Sequence, residues 1–132
     1  MSLVYSGVFH ELPELQVVFE EGSLGWLLPL MWRMDRAWEA LGAEVPQLTE
    51  RPSKTVREHV WLTTQPIDEP PRAADFAALL AQLGMDERIM FATDYPHWDF
   101  DAPDRALPSG LDHGVRERIM AGNARSLYRL GA

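Results

Sequence analysis

The stretch that decides the fold is Ile89-Met90-Phe91-Ala92-Thr93-Asp94-Tyr95-Pro96-His97-Trp98-Asp99. An apolar run ends abruptly in an acid, and a proline follows two residues later. A buried parallel strand reads this way when it delivers one carboxylate to the rim of its sheet. Strand alternation predicts Met90, Ala92 and Asp94 on one face and Ile89, Phe91 and Thr93 on the other. Asp94 has two readings. A carboxylate at a strand end can ligate a divalent metal or take a proton from metal-bound water. It can equally cap the following loop through backbone N–H groups. His97, three residues on, could ligate a metal, touch substrate or bond to backbone. Trp98 lies in the same loop and is a candidate substrate contact.

Working outward, two more strands precede this one. Leu15-Gln16-Val17-Val18-Phe19 and Val60-Trp61-Leu62-Thr63-Thr64 are short, β-branched and aromatic, and bounded by Pro13, Gly22 and Pro66. Helices separate them. From Trp26 to Gly42, Leu27, Leu30, Met31, Met34, Trp38 and Leu41 recur at helical spacing, with Pro29 tolerable near the first turn and Gly42 as a stop. Ser53 is expected to cap a short helix through about Glu58. Ala73 to Leu83 carries one stripe of Phe76, Leu79, Leu80 and Leu83, ended by Gly84. Val4 to Leu12 reads as a short helical segment, and Val115 to Leu130 as a last helix broken near Gly122-Asn123. The third strand is expected over Arg88 to Thr93. Strand and helix alternate three times, which calls for an α/β fold with a parallel sheet covered by helices. Three strands are few for a self-contained domain of this class.

Bulk properties narrow the function. The chain has 132 residues, enough for one domain over 1–132, and 46% are apolar. Twelve basic against twenty acidic residues give a net charge of -8, which argues against nucleic acid and membrane surfaces as partners. Without cysteine there is no disulfide and no thiolate metal site. No signal peptide or membrane span is read, so a cytoplasmic location is expected. Met1-Ser2-Leu3 reads as an addition from cloning, and the residues after it as the tail of a helix that begins upstream.

In parallel α/β folds functional groups gather at the C-terminal ends of strands. Those ends hold Glu20-Glu21-Gly22-Ser23, Thr64-Gln65 and Asp94 to His97. Adjacent Glu20 and Glu21 point to opposite faces, and Glu21 has the parity of Val17 and Phe19. The pair can also be a solvated acidic patch before a helix N-terminus. Gly22 and Gly25 make no phosphate loop, because no Lys-Ser/Thr follows, and Ser23 lacks the setting of a serine nucleophile. His10 and His59 fall at the opposite edge and read as structural. Trp26, Trp32, Trp38 and Trp61 read as packing.

Several motifs combine into something recognisable: Phe19 to Trp26 (FEEGSLGW), Leu30 to Asp35 (LMWRMD), Thr93 to His97 (TDYPH) and Gly122 to Tyr128 (GNARSLY). From about Ser6 to Leu130 the chain resembles the C-terminal part of the amidohydrolase-related metal-dependent hydrolases and decarboxylases, which include aminocarboxymuconate semialdehyde decarboxylase. That resemblance implies a partial (β/α)8 TIM barrel, with the three strands as the sixth, seventh and eighth. It implies that Asp94 is the last-strand aspartate that contacts metal and helps activate water. Glu21 falls where many members carry a catalytic histidine after the sixth strand. The family's His-x-His pair on the first strand and histidine on the fifth have no counterpart here. One aspartate does not hold a zinc ion, which takes about four ligands, three from protein in catalytic sites. A divalent metal, zinc or manganese, is thus expected for the full-length family and none for this chain alone. The expected function is that of a C-terminal fragment, inactive by itself, acting on a small-molecule substrate once an N-terminal barrel portion completes it. The alternative is a non-catalytic, self-associating scaffold: a partial barrel leaves its first and third strands as open edges, which invite a homo-oligomer. A small flavodoxin-like domain would need more strands and a phosphate loop.

Overall fold

The computed structural model describes residues 1–131. Three strands form one parallel sheet in the order β1-β2-β3: β1 Val17–Phe19, β2 Val60–Thr63 and β3 Ile89–Met90. Val17 pairs with Val60 and Phe19 with Leu62, and Leu62 pairs in turn with Ile89. The helices are α1 Ser2–Tyr5, α2 Val8–Glu11, α3 Leu27–Leu41, α4 Pro52–His59, α5 Ala73–Leu83, α6 His113–Glu117 and α7 Asn123–Tyr128. The alternation expected from the sequence is present.

One face of the sheet carries the main core. Val60, Leu62 and Ile89 pack with Leu27, Met31 and Met34 of α3, Phe76 and Leu83 of α5, and Ile119. Each such side chain contributes roughly 1.5–3 kcal/mol when fully buried. Alternation points Trp61, Thr63 and Met90 to the other face, and these are buried too. There the Arg88 guanidinium lies 4.8 Å over the Trp61 ring, and the Gln16 side-chain oxygen accepts from both Trp61 and Arg88. His59 stacks on Phe9 at 4.6 Å, with Nδ1 2.8 Å from the Leu15 carbonyl, a structural role as expected.

Several local expectations need correction. The N-terminal segment is two short helices, because Gly7 adopts a left-handed φ of 79° between them. Gly42 does end α3, as expected, but with a right-handed φ of -56° that carries the chain into a 3-10 turn, Gly42–Glu44. Ser53 is not a cap: Pro52 begins α4, where its missing N–H costs nothing. Ser53 instead donates its backbone N–H and its hydroxyl to the Asp35 carboxylate at 2.8 and 2.7 Å, fastening α4 to α3. By contrast α5 and its stop, Gly84 at φ 61°, fall where expected.

The third strand is the largest departure. Its ladder covers two residues, not six. Beyond Met90 the chain is held by other means. Phe91 N–H donates to the Ile119 carbonyl at 2.9 Å, and Ala92 N–H to the Thr64 hydroxyl at 3.2 Å. Asn123 donates to the Ile89 carbonyl at 2.7 Å. The edge expected to be open on the third strand is therefore occupied over Ile89 to Phe91, whereas β1 has a strand on one side only.

Candidate metal site

Three side chains converge at the C-terminal rim. Glu21 follows β1, and Asp94 and His97 follow β3; their ligand atoms all lie within 4.8 Å of one another. His97 Nδ1 sits 2.8 Å from Asp94 Oδ2. Asp94 is the sheltered member, with 16% of its side chain exposed against 63% for His97. With Gln65, Pro66, Trp98 and Asp99 they line an open bowl of about 450 Å³.

The backbone brings them there by leaving strand geometry. Glu21 and Asp94 take left-handed φ values of 53° and 57°, and Ser23 takes 60°. Such values are uncommon for non-glycine residues, and held outliers of this kind cluster at ligand-binding and catalytic positions. They also correct the parity argument. Val17 packs on the core side of the sheet. Continued alternation would therefore aim Glu21 away from Asp94. The turn at Glu21 re-aims it toward the bowl.

Each carboxylate has its own support. The Glu21 loop is fastened by Asp68, whose carboxylate accepts from the Ser23 hydroxyl, from Gly25 N–H at 2.7 Å and from Leu24 N–H at 3.2 Å. Burial alone would raise the Asp68 pKa, but the bonds from Ser23, Gly25 and Leu24 together outweigh it and hold the pKa below 3.8. The Asp94 loop is fastened by its own backbone: His97 N–H donates to the Asp94 carbonyl and Asp101 N–H to the Thr93 carbonyl, each at 2.9 Å. Buried Gln65 reaches across from β2 and donates to the Asp99 carbonyl at 2.9 Å. Asp101 is pushed up, by burial first and then by Glu69 and Asp99.

The hydrogen bond to Asp94, followed by that carboxylate's charge and more weakly by Glu21 and Asp99, raises the His97 pKa above 6.5. With Nδ1–H donated to Asp94, Nε2 is left as the free donor atom of the ring. Two carboxylates and one imidazole suit zinc or manganese. Two ligands across one ion stand at most about 4.2 Å apart at bonds of ~2.1 Å. A spread of up to 4.8 Å therefore needs only a small closing movement, which exposed Glu21 can make. The residues present fit a divalent cation, and they offer three ligands against the about four it takes.

Trp98, 93% exposed, lines the bowl, and in the same loop Tyr95 meets Phe100 edge to face at 5.8 Å. Of the four residues singled out from sequence, Glu21, Asp94, His97 and Trp98 all line it. Asp68 and Gln65 were not singled out. Gln65 stood at a strand end, but Asp68 sits among prolines in a stretch that reads as plain loop.

Comparison with known proteins gives this geometry a setting. The family model described as amidohydrolase matches residues 1–130. No curated protein sequence matches the chain. Among solved structures, an amidohydrolase from Mycobacterium avium subsp. paratuberculosis K-10 is 25% identical with a TM-score of 0.73, over 96% of this chain and 31% of that one. A dihydroxybenzoic acid decarboxylase from Polaromonas sp. JS666, solved with manganese and the inhibitor 2-nitroresorcinol, is 26% identical with a TM-score of 0.70, over 97% of this chain and 38% of that one. The 2,6-dihydroxybenzoate decarboxylase from Rhizobium is 27% identical with a TM-score of 0.70, over 97% of this chain and 39% of that one. The chain thus spans 31% to 39% of the length of these proteins. It belongs to the amidohydrolase family, and its three parallel β/α units are part of that family's (β/α)8 barrel.

Proposed function

We propose that this chain supplies the last-strand portion of a metal-dependent amidohydrolase-type active site, with the remaining metal ligands contributed from outside these 132 residues. The carrying observation is the convergence of Glu21, Asp94 and His97 at the rim where the sheet presents its C-terminal ends. The substrate is a small molecule. Decarboxylation of a hydroxylated benzoate is favoured over hydrolysis, because relatives at 26% and 27% identity are named for that reaction and one was solved with manganese. A bound divalent metal would supply Lewis acidity and lower the pKa of water or a substrate hydroxyl.

The chain's own residues do the rest. Asp94 would hold one position of the metal and accept a proton from the group that is activated. His97 orients the Asp94 carboxylate through its Nδ1–H and stabilises its negative charge. Glu21, where the family resemblance implies a catalytic position, serves as an exposed proton acceptor on the facing side. Trp98 and Tyr95 offer apolar surface to a planar ring. By itself the chain is inactive. No helix among the described residues is long and apolar enough to cross a membrane.

The test uses a polypeptide in which the first five barrel strands precede this chain. One manganese ion should bind per polypeptide, and Asp94→Ala should weaken it by about 100-fold or more, the upper range seen even for supporting residues. Unchanged manganese affinity in that variant would remove Asp94 from the site. Self-association is the second reading, favoured by the unpaired side of β1. It predicts a dimer by sedimentation that Val18→Pro disrupts; a clean monomer at high micromolar concentration excludes it.

A further inference from the structure

One buried polar side chain at the rim is only half used. Gln65 follows β2, and 3% of it is exposed. By strand alternation it continues the series Trp61, Thr63, Gln65, on the side of the sheet away from α3 and α5. The chain is pinned just before it: Thr64 N–H donates to the Met90 carbonyl at 2.9 Å, and the Thr64 hydroxyl accepts from Ala92 N–H. Gln65 Nε2 donates to the Asp99 carbonyl at 2.9 Å. A carbonyl only accepts, so this bond settles which end of the amide is nitrogen.

The amide oxygen, Oε1, is left over. It accepts no hydrogen bond among the described residues, yet it is not sealed from solvent as the partnerless buried atoms of Thr63, Asp101 and Arg118 are. The open space that Gln65 lines is the bowl of Glu21, Asp94 and His97, and of the residues lining that bowl only Gln65 is buried. Polar groups on buried side chains are as a rule partnered. A tie to the Asp99 loop uses only the nitrogen, so the partner of Oε1 comes from what occupies the bowl. The rest of the wall decides its kind. Glu21, Asp94 and Asp99 make it rich in negatively charged acceptors. Such a wall disfavours a further anionic group and favours hydrogen-bond donors.

We propose that Gln65 is a specificity-determining residue whose Oε1 accepts a hydrogen bond from a ring hydroxyl of the substrate, one that stays protonated and is separate from the group that is activated. The Asp99 carbonyl holds the amide in the orientation this needs. The substrate class narrows to aromatic rings bearing at least two hydroxyls. This role rests on the proposed function, and it suits a closed barrel, where residues at the C-terminal strand ends face the site.

The test compares resorcinol with 3-methoxyphenol, in which one of the two hydroxyls is methylated. Both are titrated by calorimetry into the polypeptide in which the first five barrel strands precede this chain. Manganese affinity is measured first. Failure to bind it counts against the proposed function, and the comparison is then made without metal, since the second hydroxyl needs none; the two readings therefore fail separately. The ratio of the two affinities, in favour of resorcinol, should fall about five- to tenfold in Gln65→Met, as for one hydrogen bond between uncharged groups. Equal weakening of both compounds would reduce Gln65 to a support for the Asp99 loop and overturn the proposal, as would an unchanged ratio. Should Gln65→Met unfold the polypeptide, the side-chain amide resonances of Gln65 are followed in the unmodified, metal-free form. They should move with resorcinol and stay with 3-methoxyphenol; equal movement, or none, refutes the proposal.

Discussion

The two carboxylate loops make an instructive pair. Both follow strands of one sheet, and both turn through a left-handed residue, at Glu21 and at Asp94. They differ in what holds them. The Asp94 loop is tied through its own backbone groups at Phe91, Ala92, Thr93 and Asp94, and its side chain is largely sheltered. The Glu21 loop is held mainly by one exposed carboxylate, Asp68, with the Trp26 indole N–H on the Ser23 carbonyl beside it, and Glu21 is itself exposed. A ligand must be held to about half an ångström, which the better-tied loop does more readily. The contrast agrees with the proposed roles, Asp94 on the metal and Glu21 in proton movement.

Three changes would break or sharpen that contrast. The largest effect is expected from Asn123→Ala, which leaves the carbonyls of Ile89 and Asp86 without a donor. Two lost bonds at a buried site should cost about 2–4 kcal/mol, read as a lowered urea midpoint, with β3 losing protection and the Glu21 loop keeping its resonances. Asp68→Asn should cost about 1 kcal/mol and do the reverse, freeing Glu21 to Gly25 while Asp94 stays fixed. Because the folded pKa of Asp68 lies below 3.8, its contribution is present above that pH and is lost as pH falls through the lower folded value. Ser53→Ala, remote from both loops, should cost about 0.5–1.5 kcal/mol and move neither.

His97 reports on the pair directly. Its folded pKa is raised above 6.5, so the protonated ring's bond to Asp94 favours the folded form below 6.5 and fades as pH rises through the folded value. Proton and metal compete for the ring, so metal should bind better as pH rises through the same range. Asp94→Asn should return the His97 titration, followed by imidazole resonances, toward 6.5, whereas Asp68→Asn should leave it in place.

Much of this molecule was legible in its sequence, for physical reasons. The apolar stripe and left-handed Gly84 of α5 are local signals that tertiary contacts had no cause to override. The rim residues were legible because strand ends are where a parallel sheet presents chemistry. What stayed hidden depends on contacts distant in sequence. Asp68 reaches the Ser23 loop across 45 residues, and Asn123 reaches Ile89 across 34. The break near Gly122-Asn123 was visible, but that it frees a carbonyl for Phe91 was not. Parity failed at Glu21 because one left-handed residue cancels an alternation count, and nothing in the sequence marks Glu21 as that residue.

The most direct measurement of the central claim is a manganese titration by calorimetry, made on this chain alone and on the chain joined to the first five strands of an amidohydrolase barrel. The account predicts weak binding to the chain alone, through Asp94 and His97, and one tight site in the joined polypeptide. Equally tight, stoichiometric binding to the chain alone would contradict it.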